Sequence, residues 1–118
     1  MQLEPNRPLQ LLRNAGIIVH EEHAAKPIPL PHAKQAWVFS TADGRFTLWI
    51  YEFEDQDEMD LAMSYVEEQL IAQRQVLDFA QNGEFLLVLA LRAQGEEMPE
   101  DRQAVARILQ AFSGEVER

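Results

Sequence analysis

The chain has 118 residues, 47% of them hydrophobic, with 20 acidic and 10 basic side chains and a formal net charge of -10. That balance is repelled by phosphate backbones and anionic headgroups, which disfavours nucleic-acid and peripheral membrane binding. Cysteine is absent, so disulfides, zinc–thiolate sites and thiol catalysis are excluded. No apolar run approaches the ~20 residues of a membrane span, and the opening MQLEPNRPLQ lacks the basic-then-apolar pattern of a signal peptide.

The length suits one core, and residues 1–118 read as a single α+β domain. Near the start, Asn6 is a helix cap, Pro8 tolerates the first turn, and Leu9 and Leu12 supply apolar contacts. Gly16 is placed to end that helix in the left-handed conformation. IIVHEE, residues 17–22, predicts a short first strand. Pro27, Pro29 and Pro31 then forbid a helix or a central strand, and predict an extended segment packing Ile28 and Leu30 on the sheet. AWVFST, residues 36–41, predicts a second strand. It leads through Asp43-Gly44, the strongest local hairpin signal in the chain, into a third.

That third strand, RFTLWIYEF at 45–53, is rich in aromatic and branched residues, and both of its faces are largely apolar. It is therefore expected to be central. Phe46, Leu48 and Ile50 take one face; Thr47, Trp49, Tyr51 and Phe53 take the other. Asp55 with Glu58 forms a capping box, and Met59, Ala62, Met63, Val66 and Leu70 make one apolar stripe. The predicted helix runs to about Arg74. VLDF, residues 76–79, either extends it or begins a connector. Asn82-Gly83 reads as a break, and EFLLVLAL at 84–91 as a strand buried on both faces, bounded after it by Gln94-Gly95. Pro99 opens a last helix with Val105, Ile108, Leu109 and Phe112 inward. Gly114 ends it, and a polar tail follows.

The expected architecture is a mostly antiparallel four-stranded sheet with helices packed on one face, in the order α-β-β-β-α-β-α. Few of its side chains suggest chemistry. HEEH at 20–23 is not the HExxH zinc motif: on a strand His20 and Glu22 point one way, Glu21 and His23 the other. His32 is a further candidate from the proline segment. The acids Glu52, Glu54, Asp55, Asp57, Glu58 and Asp60 lack the glycine of a calcium loop, and suit a helix N-terminus. Ser40, Thr41 and Ser64 have no glycine elbow, and no phosphate loop or dinucleotide fingerprint occurs. No catalytic residue, metal ligand or cofactor is assigned. The candidate ligand- or partner-binding group is Trp37, Trp49 and Tyr51: if the two tryptophans share a face, that face offers a large aromatic area.

LWIYEFEDQDEMDLA, NGEFLLVLAL, the ILQAF helix end and LLRNAGIIV together resemble small domains of Gram-positive bacterial lipoproteins. That resemblance implies a non-enzymatic, extracytoplasmic module, which requires a leader upstream of Met1; without one the protein is cytoplasmic. The element order and acidity also look like type III secretion chaperones, small acidic dimers that hold a protein client. A second strand after the main helix is not legible. The expected function is thus a binding or structural module for a protein or small ligand, with a chaperone-like dimer as the alternative and a metal-dependent or acid–base enzyme third. Oligomeric state stays open.

Overall fold

A computed structural model of the chain describes residues 6–22, 26–91 and 98–113. Its elements are α1 (Asn6–Asn14), β1 (Val19–Glu21), β2 (Gln35–Thr41), β3 (Phe46–Glu52), α2 (Gln56–Tyr65), a π-helical segment (Val66–Ile71), β4 (Asp78–Asn82), β5 (Phe85–Leu91) and α3 (Pro99–Ser113). The strands form one antiparallel five-stranded sheet in the order β1-β2-β3-β5-β4. The single-domain α+β fold is as expected, and β3 is central. Two parts of the sequence reading are corrected.

The first correction is the fifth strand. Asp78–Asn82 forms β4, an edge strand with every residue partly buried, and it is hairpinned to β5. The Asn82-Gly83 break is the entry to a hairpin: Gly83 and Glu84 make the turn, and Asn82 already pairs with Phe85. Gly83 has φ +58, a conformation that glycine adopts at no steric cost. A Cβ there would also lie 2.6 Å from Arg7 Nη2. Arg7 reaches over from α1, donates to the Asn82 carbonyl at 3.1 Å and stacks 5.3 Å from the centre of the Phe85 ring. The edge strand is thereby tied to the N-terminal helix.

The second correction is that helices cover both faces of the sheet. On one face Leu9, Leu12, Val105, Ile108 and Phe112 of α1 and α3 pack on Trp37, Phe39, Leu48, Ile50, Leu87 and Leu89. On the other, Met59, Ala62, Val66 and Leu70 pack on Tyr51, Phe53, Leu86 and Val88, joined by Leu30 of the proline segment. The period-two alternation puts apolar residues on both faces of β3 and β5, and each set has to be kept from water. A sheet apolar on both sides needs two covers.

Local signals explain the rest. Asp55 caps α2, accepting from the Glu58 amide at 2.8 Å. At the end of α1 the Ile17 amide donates to the Leu12 carbonyl and the Gly16 amide to that of Arg13, with Gly16 at φ +80. This is a Schellman cap. Asp43 organises the β2–β3 turn. It accepts from the Thr41 hydroxyl at 2.6 Å and the Arg45 amide at 2.9 Å, bonds that hold its carboxyl below the usual range. His23, Gln94, Gly95, Gly114 and the tail 115–118, all named above from the sequence, lie outside the described residues.

Candidate functional site

The aromatic group does not converge. Residues directly opposite in an antiparallel pair share a face. Trp37 opposes Ile50, which opposes Leu87, and this row points toward α1 and α3. Trp49 opposes Val38 and Val88 and lies on the α2 side, as does Tyr51. The two tryptophans are therefore on opposite faces. Trp37 is only 8% exposed. Tyr51 is buried beneath the proline segment, and its hydroxyl donates to the Ile28 carbonyl at 2.5 Å. Burial pushes its hydroxyl well above the ordinary value of 10.0. Trp49 Nε1 is buried with no hydrogen-bond partner among the described residues.

The other candidates are dispersed. His20 stands exposed on the edge strand β1, opposite Ser40, whose hydroxyl donates to Glu22 at 3.0 Å. His32 sits far along the proline segment with φ +66. Among the described residues no three histidines or carboxylates gather where a metal would be held, and no helix is long and apolar enough to cross a membrane.

The ion pair of Arg45 and Asp101 has a buried member. Arg45, just after the hairpin turn, grips Asp101 through Nε–Oδ1 at 3.0 Å and Nη2–Oδ2 at 2.6 Å. Asp101 is the third residue of α3, only 4% exposed, and its carboxylate also accepts from the Met98 amide at 2.7 Å. Those bonds, the guanidinium's above all, hold the carboxyl below its ordinary 3.8. Both carboxylate oxygens are engaged in fastening the β2–β3 hairpin to the start of α3. The fork therefore positions structure rather than acting on a substrate.

Two of the concavities among the described residues bear on a binding role. A hollow of about 270 Å³ lies between Gly16, Ile17, Phe46, Ala104 and Ile108, with Arg107 at its rim. The Arg107 guanidinium donates to the Ala15 carbonyl at 3.2 Å, and Thr41 and Asp43, which also line the hollow, bond to each other.

The second is a groove of about 420 Å³ on the outer side of α2, lined by Pro31, His32, Leu61, Ser64, Tyr65, Glu68 and Gln69. Leu61 is 60% and Tyr65 38% exposed. Four residues apart on a helix, they stand one above the other on a single ridge. The inward stripe of Met59, Ala62, Val66 and Leu70 is on the opposite side, so α2 is apolar on both its core side and part of its outer side. The sequence reading misses this ridge, although the signal is present: Leu61 and Tyr65 fall off the stripe that faces the core. The π-helical segment begins immediately after Tyr65, and irregular turns of this kind are often found at functional sites.

No family model, curated protein or solved structure matches the chain.

Proposed function

We propose that this chain is a non-enzymatic binding module that engages a protein partner through the outer face of α2. The observation that carries the reading is the Leu61–Tyr65 ridge beside the Pro31–His32 wall. Two large apolar side chains on adjacent turns lie open to water along a groove, where contiguous exposed apolar surface marks interaction sites. Trp49 and Tyr51 contribute from beneath, since they seat the proline segment that forms the groove's second wall. Trp37 belongs to the opposite core, and in this proposal supports the fold. The resemblance to lipoprotein domains adds an extracytoplasmic setting, which a leader encoded upstream of Met1 tests.

The test is binding of a panel of labelled amphipathic peptides, differing in charge, followed by fluorescence anisotropy. At least one peptide should bind, and the double variant Leu61→Ser/Tyr65→Ser should lose it while remaining folded, because neither side chain belongs to the buried core. If no peptide in the panel binds, or if the double variant binds as the parent does, the reading is wrong.

A second reading is favoured by β4. The sequence resemblance to secretion chaperones lacks a second strand after the main helix, and β4 supplies it, giving the order α-β-β-β-α-β-β-α. Together with the acidity of the chain, this supports a dimer that holds a protein client. Light scattering after size exclusion tests it: a strict monomer across micromolar concentrations removes the dimer.

A further inference from the structure

The groove on α2 has a strongly one-sided electrostatic setting, and this constrains its occupant. Residues 56–71, which make up α2 and the π-helical segment, carry Asp57, Glu58, Asp60, Glu67 and Glu68 and no lysine or arginine. Their placement follows from helical spacing. Asp57 is one turn before Leu61 on the same ridge as Tyr65, while Glu68 lines the groove beyond Tyr65. Asp57, Asp60, Glu67 and Glu68 are exposed and Glu58 is half-exposed. The apolar ridge is thus bracketed at both ends by carboxylates. Lys34, at the end of the proline segment, is paired with Glu54 at 3.9 Å, at the strand end rather than over the groove.

We propose that the groove takes a cationic amphipathic segment of another protein, apolar anchors seated against Leu61, Tyr65 and Pro31 and lysines or arginines over the flanking acids. This rests on the proposed function and names the chemistry of the partner. Charge complementarity selects it among the possible occupants. A second copy of this chain docked through the same face would set Asp57 and Glu68 against their own counterparts with no lysine or arginine of the helix to intervene, and like charges across an interface oppose association. Nucleic acid and anionic lipid are repelled for the same reason. An uncharged apolar peptide would fill the ridge and leave the carboxylates unmatched. The potential also sets the kinetics: a basic segment is steered to the groove, with an on-rate that falls as salt screens the field.

The experiment uses the full chain and three labelled 14-residue peptides with one leucine pattern: a lysine-based, a glutamine-based and a glutamate-based version. The lysine peptide is expected to bind at least tenfold more tightly than the glutamine peptide in 50 mM salt, with most of that advantage gone at 500 mM. The glutamate peptide should not bind. Asp57→Asn/Glu68→Gln should weaken the lysine peptide several-fold and leave the glutamine peptide unchanged. Leu61→Ser/Tyr65→Ser should weaken both. If the glutamine peptide binds as tightly as the lysine peptide, the cationic partner is overturned while the docking groove stands. If no peptide binds, both fall. If the lysine peptide binds Leu61→Ser/Tyr65→Ser as it binds the parent, the contact is bare charge attraction and the groove is overturned. Light scattering that shows a dimer broken by Leu61→Ser/Tyr65→Ser would replace the cationic partner by a second copy.

Discussion

On one face of the sheet two helices, α1 and α3, lie side by side over Trp37, Phe39, Leu48, Ile50, Leu87 and Leu89. On the other, a single helix, its π-helical continuation and an extended proline segment share the work over Tyr51, Phe53, Leu86 and Val88. The two-helix side is fastened by side-chain grips: Arg45 on Asp101, Arg7 over the β4–β5 turn, and Asn82 donating to the Phe112 carbonyl at 2.8 Å. The single-helix side is held by packing, by the Tyr51 hydroxyl bond to the proline segment and by the exposed amide pair of Gln56 and Gln81, in which Gln81 Nε2 donates to Gln56 Oε1 at 2.7 Å. This side also carries the exposed ridge. The difference is in the covers: one face is closed by two helices, and the other, under one helix and a loop, presents the surface through which the molecule is proposed to bind.

The comparison is broken most directly in β5, where Leu86 and Leu87 are neighbours, both fully buried, pointing to opposite faces. Leu→Ala at either position costs about 2–5 kcal/mol, and the cost falls where the surroundings can collapse into the cavity. Leu87→Ala, under two helices, is expected to cost about 4 kcal/mol, and Leu86→Ala, under a helix and a loop that can collapse more readily, about 3 kcal/mol on the same scale. Urea unfolding with a common m-value measures both. An equal or reversed order means that the α2 face is as rigid as its opposite.

The grip on α3 gives the next effect. Asp101→Asn keeps the shape but removes the carboxylate from Arg45 and the Met98 amide, leaving the guanidinium without its bidentate partner. The folded-state value of Asp101 is depressed below its ordinary 3.8, so its contribution is fully present above that pH and is lost as pH falls through the folded value. The melting temperature of Asp101→Asn should therefore lie well below the parent's at pH 7. The gap should close as the pH is lowered below 3.8. A gap that is constant down to pH 2 would show that the charge is not what fastens the helix.

Much of this comparison is legible in the sequence. The alternation in residues 45–53 and the unbroken apolar run at 84–91 identify two-sided strands. Asp55, Gly16 and Asp43-Gly44 mark a helix start, a helix stop and a hairpin, because each rests on a local hydrogen bond that the residue type itself makes possible. Features that depend on distant parts of the chain are not legible in the same way. Residues 78–82, DFAQN, carry little strand propensity and become β4 only because β5 offers a free edge and Gly83 with Glu84 closes the turn. Placing helices on one face likewise ignores the apolar residues that occupy both. The proposed site escapes a reading that sorts apolar helix positions only for a core; Leu61 and Tyr65 need the position of α2 to be recognised as open. The aromatic trio depends on register, and a shift of one residue decides the face.

A smaller effect tests how firmly the proline segment is held. Tyr51→Phe removes only the bond to the Ile28 carbonyl, and is expected to cost about 1 kcal/mol. If the segment is the groove's wall, the same variant should also weaken peptide binding, although Tyr51 is buried and out of reach of any ligand. Stability loss without a binding change would detach the segment from the site.

The smallest effect compares two helix ends. Behind α1, Gly16 takes the left-handed conformation at little cost. Behind the π-helical segment the same hydrogen-bond pattern recurs, the Gln75 amide donating to the Leu70 carbonyl and the Arg74 amide to that of Ile71, but the left-handed residue is Arg74, with φ +60. A side chain with a Cβ is strained there. Arg74→Gly relieves that strain but adds backbone freedom to the unfolded chain, and the net expected is a gain of about 0.5–1 kcal/mol. Gly16→Ala should lose about 1 kcal/mol for the mirror-image reason. If Arg74→Gly instead destabilises, the arginine side chain contributes a contact that outweighs its backbone strain, and the irregular end of the helix is held from outside rather than by its own cap.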